Sequence, residues 1–224
     1  EDYVDVHALK QTKKDRDELD LVSIEVTVNG TMRIETVQSR RSEDDSFFGR
    51  VFGKIYRKWP KVSVEYTIKL PKSSILARVS TVNGNVELHG TRGGTSVHTT
   101  NGKISVRETE GYVDAKITNG SISITDGATV RSAKSTNGNI TATISEELAE
   151  NVDISTVNGS VDLYLPSDIN ADVDLKTVNG GISAGGLRMI VDSISKRHFT
   201  GTLGSGGKTI NVSTVNGSVS LHKE

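Results

Sequence analysis

Three groups of residues in this 224-residue chain have the types and spacing to do chemistry. The first is GTLGSGGKT, from Gly201 to Thr209. A phosphate-binding loop uses glycines to bring backbone N–H groups to the anion, then a lysine and a Ser or Thr where a helix opens. Here the leading glycine of that pattern falls on Thr202, and the INVSTV that follows reads as a strand. The segment is therefore expected to be a glycine-rich hairpin. The second group is the histidines, His7, His89, His98, His198 and His222. None is paired at i, i+4 and the chain has no cysteine, so no metal site and no cofactor is expected. The third group recurs at fixed distances from Asn-Gly dipeptides. His98, Lys116 and Lys134 stand three residues before the asparagine, and Asp114, Asp153 and Asp174 stand five before. If repeats stack, the first set is a short basic row able to hold an anionic glycan. No close carboxylate pair with a nearby arginine follows from the spacing, so no catalytic residue is assigned. Ser123, Thr125, Thr141 and Thr143 form a hydroxyl patch on two repeats, too small for an ice-binding face.

A fourth feature is local. Six of the ten aromatic residues fall between Phe47 and Tyr66, five of them in FFGRVFGKIYRKWP with interleaved basic residues. Phe48, Phe52 and Tyr56 have i, i+4 spacing, and Trp59, Arg57 and Lys58 close the segment, although Gly49 and Gly53 weaken a helix. Two readings stand: a cap that packs its rings over the first repeat, or a contact surface for a partner or an anionic envelope surface.

The elements that position these residues follow from composition and period. Valine and isoleucine outnumber leucine and alanine by 42 to 22, and only three prolines occur, which favours strands over helices. The formal net charge is −1, so no global field draws the chain to nucleic acid. Asn-Gly occurs eight times, with asparagines at Asn29, Asn83, Asn101, Asn119, Asn137, Asn158, Asn179 and Asn216. From Asn83 the intervals are 18, 18, 18, 21, 21 and 37, a repeat signature. Positions three and five after each asparagine from Asn83 on are apolar, such as Ile122 and Ile124 or Val161 and Leu163, as is the position four before it. Each repeat thus carries two short strands of period two around the turn.

One repeat fits two folds, an antiparallel meander of type I′ hairpins or a parallel solenoid of stacked coils. Identity of the turn from repeat to repeat favours the solenoid, because stacked asparagine amides hydrogen-bond along the column while separate hairpins have no reason to repeat. The expected fold is all-β: a short parallel β-solenoid over residues 62–224, right-handed by the crossover preference, with Asn83, Asn101, Asn119, Asn137, Asn158, Asn179 and Asn216 as a turn ladder. Residues 1–61 are expected to form a β cap, with a hairpin at Asn29-Gly30. LRMIVDSISKRH, Leu187 to His198, reads as an amphipathic helix inside a second capping insertion, 187–213.

VEYTIKLP (Val64 to Pro71), the TVNG and TNG turns and the closing GTLGSGGKTINVSTVNGSVSL resemble the bacterial β-strand-repeat, adhesin-like proteins of unknown function, related to autotransporter adhesin head domains. The resemblance implies a β-helix-like fold and export to the cell envelope or surface, and it carries no catalytic residue. The chain is thus read as a non-catalytic envelope protein presenting a rigid surface for adhesion, scaffolding or glycan binding. Its partner would be an envelope glycan or another surface protein, and an export signal or membrane tether is expected upstream of Glu1. The competing reading is a polysaccharide-active lyase or hydrolase using outward charges of the coils.

Overall fold

The computed structural model describes residues 3–13, 16–39, 61–71, 73–127, 129–144 and 148–224. Two compact units divide between Pro71 and Lys72.

The first unit holds β1 (Asp5–Thr12), β2 (Val22–Val28), β3 (Met32–Gln38) and β4 (Val62–Lys69). β2 and β3 form the antiparallel hairpin expected at Asn29-Gly30. β4, expected within the 62–224 solenoid, pairs antiparallel with β1, so this unit ends at Pro71 rather than at residue 61. The Lys10 ammonium donates to the carbonyls of Leu19 and Val22, both at 3.0 Å, and fixes the chain between β1 and β2.

The second unit is a solenoid. Each coil contributes one strand that ends on its asparagine and a shorter strand after the Asn-Gly corner. In chain order these are β5 (Arg78–Asn83), β6 (Val86–His89), β7 (Thr95–Asn101), β8 (Ile104–Arg107), β9 (Tyr112–Asn119), β10 (Ile122–Thr125), β11 (Thr129–Asn137), β12 (Ile140–Thr143), β13 (Val152–Asn158), β14 (Val161–Leu165), β15 (Ala171–Asn179) and β16 (Ile182–Ala184). β17 (Met189–Ile194) and β18 (His198–Leu203) then precede the last coil, β19 (Lys208–Asn216) and β20 (Val219–Lys223). Coil strands pair in parallel with like positions in register, Asn83 beside Asn101 and Ile104 beside Ile122. A meander is thereby excluded.

Inward positions behave as the period requires. Ile104, Val106, Ile122, Ile124, Ile140, Val161, Leu163, Val219 and Leu221 are buried between the sheets, as are Val97, Ala115, Ala133, Ile154, Leu175 and Val212 from the strands before the corner. One inward position is polar in most coils, with Ile117 before Asn119 the apolar exception. Two residues before the asparagine stand Thr99, Ser135, Thr156, Thr177 and Thr214, all buried. Each hydroxyl donates to the glycine carbonyl of the neighbouring coil, for example Thr156 to Gly138 at 2.9 Å and Thr214 to Gly159 at 2.8 Å. Each of these half-buried or exposed corner glycines thereby gains a hydroxyl partner for its carbonyl, and the buried hydroxyl is itself satisfied. Thr156→Val, which keeps shape and removes the donor, is expected to cost about 1 kcal/mol, measured by urea unfolding.

The order of coils is not the order of the chain. β19 lies between β13 and β15, and β20 lies between β14 and β16, so the C-terminal coil is wedged between two coils made earlier. The link from β14 to β15 accordingly steps past the rung that β19 fills.

Two expectations fail in the 187–213 insertion. Its helix is instead the strand β17, which pairs antiparallel with β18, itself antiparallel to β15. Ile190, Val191 and Ile194 suit a strand, and the open edge of β18 supplies the backbone partners that override the helical period. The glycine-rich hairpin is also absent: β18 and β19 lie on opposite sides of β15, with Leu203 and Lys208 both opposite Ala171. Gly204 to Gly207 form a saddle over that strand. Asn170 Oδ1 accepts from the Ser205 backbone N–H at 2.8 Å and the Ser205 hydroxyl at 3.0 Å. Gly204 has φ +58°, and a Cβ there would stand 2.2 Å from Asn170 Oδ1. Glycine is demanded by the crossing, not by a phosphate.

Candidate functional surface

The solenoid offers two outer faces with different chemistry. On the nine-stranded sheet, β5 to β19 with β17 and β18, His98, Lys116 and Lys134 stand on consecutive strands in register, as spacing predicted. The acidic column is not continuous: Ser132 separates Asp114 from Asp153, and Asn211 separates Asp153 from Asp174. Much of the charge is spent internally. Lys134 pairs with Asp153 at 2.6 Å, and Lys176 with Asp174 at 2.7 Å. The basic row thus presents two cations, His98 when protonated and Lys116, rather than three.

Spacing alone missed Arg131. It enters the face through a bulge between Val130 and Ser132, which turns an extra side chain outward. Its guanidinium forms a forked pair with Asp114 and lies over the Tyr112 ring, 3.6 Å from the centroid. The hydrogen bond to Asp114 raises its pKa further above the ordinary arginine value. The Tyr112 ring lies in turn on Gly94, where a Cβ would meet Cζ at 2.0 Å. This column is a fitted stack, and it holds the arginine in place rather than offering it to a ligand.

At the other end of the same sheet Asp174 accepts from His198 Nε2 at 2.9 Å and from Lys176. Partial desolvation pushes its pKa up, but the hydrogen bonds from Lys176 and His198 outweigh this and hold the carboxyl below its ordinary value. A carboxylate whose folded pKa is depressed contributes stability above its unfolded pKa, and that contribution disappears as pH falls through the folded value. Urea midpoints should therefore drop more for the wild type than for Asp174→Asn on moving from pH 6 to pH 3, and equal drops would refute the assignment.

The seven-stranded sheet, β6, β8, β10, β12, β14, β20 and β16, carries a largely uncharged face. Ser105, Ser123 and Thr141 are in register across β8, β10 and β12. Glu87 and Arg107 form a salt bridge at 2.6 Å at one end. Near the other end stands a cluster that spacing did not single out: Asp162 and Tyr164 on β14 beside Ser220 and His222 on β20. The Tyr164 and His222 rings stack with centroids 4.9 Å apart and planes at 24°, and His222 Nε2 lies 3.3 Å from Asp162 Oδ1. Their separation of 58 residues hides the pairing, because only the wedged C-terminal coil brings them together.

Along the corner the asparagine ladder runs in spatial order. Each Nδ2 donates to the Oδ1 of the neighbour: Asn101 to Asn83, Asn119 to Asn101, Asn137 to Asn119, Asn158 to Asn137, Asn216 to Asn158 and Asn179 to Asn216, all at 2.7–2.9 Å. The sequence candidates Phe48, Phe52, Tyr56, Arg57, Lys58 and Trp59 lie outside the described residues.

A stack of coils with dry apolar columns and an amide-laced corner defines a repeat domain. The chain belongs to the Toastrack DUF4097 family, whose model matches residues 72–222, nearly the whole solenoid unit. A crystal structure described as a putative cell adhesion protein from Clostridium sporogenes ATCC 15579 is similar at 13% sequence identity and a TM-score of 0.40, covering 91% of this chain and 76% of that one. No curated protein matches the chain.

Proposed function

We propose that this chain is a non-catalytic module of the cell envelope whose solenoid presents a rigid surface to an envelope glycan or a surface protein. One observation carries the reading: a single continuous core under seven register-locked coils holds two chemically distinct outer faces in fixed geometry. Extended repeat surfaces recognise ligands by many modest contacts spread over several rungs, which suits a polymer better than a metabolite. The family resemblance supports an extracytoplasmic location, and fractionation of cells producing the full-length protein tests it. Binding of the purified chain to an array of bacterial surface polysaccharides, with no reducing sugar released, is the expected result. Release of product would overturn the reading in favour of a polysaccharide-active enzyme.

A further inference from the structure

We propose that the outer face of the seven-stranded sheet carries a sugar-ring subsite, in which a neutral pyranose of a polysaccharide stacks on His222 above Gly185. The inference rests on the glycan-binding reading and names the place and the ligand chemistry. Parallel strands set like side chains about 4.8 Å apart. Tyr164 and His222 use that spacing as two rungs of a ring stack. The next rung belongs to the chain leaving β16, where Ala184 is opposite Leu221 and the Gly185 N–H donates to the Leu221 carbonyl at 3.4 Å. The backbone continues the ladder there, but the residue has no side chain, and a Cβ at Gly185 would meet nothing within 4 Å. The His222 face turned away from Tyr164 is therefore uncovered at that rung.

An imidazole held by Asp162 Oδ1 and backed by a tyrosine ring is a fixed, flat platform. The C–H face of a pyranose stacks on such a ring, while its rim of hydroxyls needs polar partners within reach. Those partners run alongside. Asp162, Ser220 and Ser183 are in register on the same outer face, two residues earlier in their strands, about 7 Å from the ring column. The Asp162 carboxylate accepts hydroxyl hydrogens and repels a uronate, so the ligand assigned is neutral.

The test is an NMR titration of the intact chain with chitohexaose, cellohexaose and mannohexaose, and separately with hexagalacturonate. Wild type is expected to shift the His222 ring and the Gly185 amide with a neutral hexamer and not with the uronate. His222→Ala should weaken that binding at least tenfold. Gly185→Phe should do the same by filling the rung, and unchanged thermal melting will show that it folds. Lys116→Ala, on the opposite sheet, should bind as wild type. The subsite is overturned, with glycan binding intact, if Gly185→Phe binds like wild type or if shifts centre on Lys116 and Lys134. Absence of shifts with all four oligosaccharides overturns both.

Discussion

A chain ending at Gly207 is expected to lose protection from hydrogen exchange throughout β15 to β18, while β7 to β12 keep theirs. Shortening an ordinary solenoid by its last coil exposes one fresh edge and costs little more than that coil. Here β19 and β20 fill the slot between β13/β14 and β15/β16, so their removal also cuts β15 to β18 from the stack. The wedge contributes four fully buried inward side chains, Ile210, Val212, Val219 and Leu221. At about 1.5–3 kcal/mol each these supply roughly 6–12 kcal/mol, comparable with the whole stability of a typical domain, about 5–15 kcal/mol. The Asn158–Asn216–Asn179 amides would be severed as well. Continued protection of amides from Ala171 to Leu203 in the shortened chain would mean that the slot closes on itself, and the prediction would fail.

The second large effect is expected at a corner. Gly120 has φ +135°, and a Cβ built on it would lie 1.7 Å from the carbonyl oxygen of Gly102 in the adjacent coil. The obstacle is backbone, which cannot turn aside as a side-chain tip can, and the adjacent coil is itself locked by the Asn119 and Asn101 amides. The strained conformation alone costs about 1–3 kcal/mol, and the collision adds to it. A domain of this size loses roughly 2–4 °C of melting temperature per kcal/mol, so Gly120→Ala should melt roughly 2–12 °C lower than wild type from strain alone, and lower still with the collision. Gly181→Ala is the control: the position is open, has no positive φ, and should change stability by less than about 0.5 kcal/mol. Equal melting of the two variants would show that the corners are looser than the stacking requires.

The solenoid was legible because one turn recurs at a near-constant interval, and only stacking rewards such recurrence. The dipeptide itself decides nothing. Asn29-Gly30 makes an antiparallel hairpin, since β2 and β3 have no like turn beside them, whereas the same pair at Asn101 makes a parallel corner. Buried Thr99 and Thr156 were hidden by their polarity, although their parity with Val97 and Ile154 placed them inward. β17 was hidden by a helical period that the open edge of β18 overrode. The position of the last coil was not readable at all, because Ile210, Val212 and Val219 match the inward columns of any rung equally well.

The candidate surface divides the same way. Spacing put His98, Lys116 and Lys134 on one row, yet the neutralising partner Asp153 and the bulged Arg131 depend on tertiary detail. Tyr164 and His222 became neighbours only through the wedge.

That wedge also limits how this chain could change length. From β5 to β14 the coils stack in chain order, so duplicating or deleting one repeat unit there should leave every later segment able to dock as before. The two final coils, β15/β16 and β19/β20, have no such freedom: they are interlaced through β18 by the saddle over β15, so neither can be lost without the other.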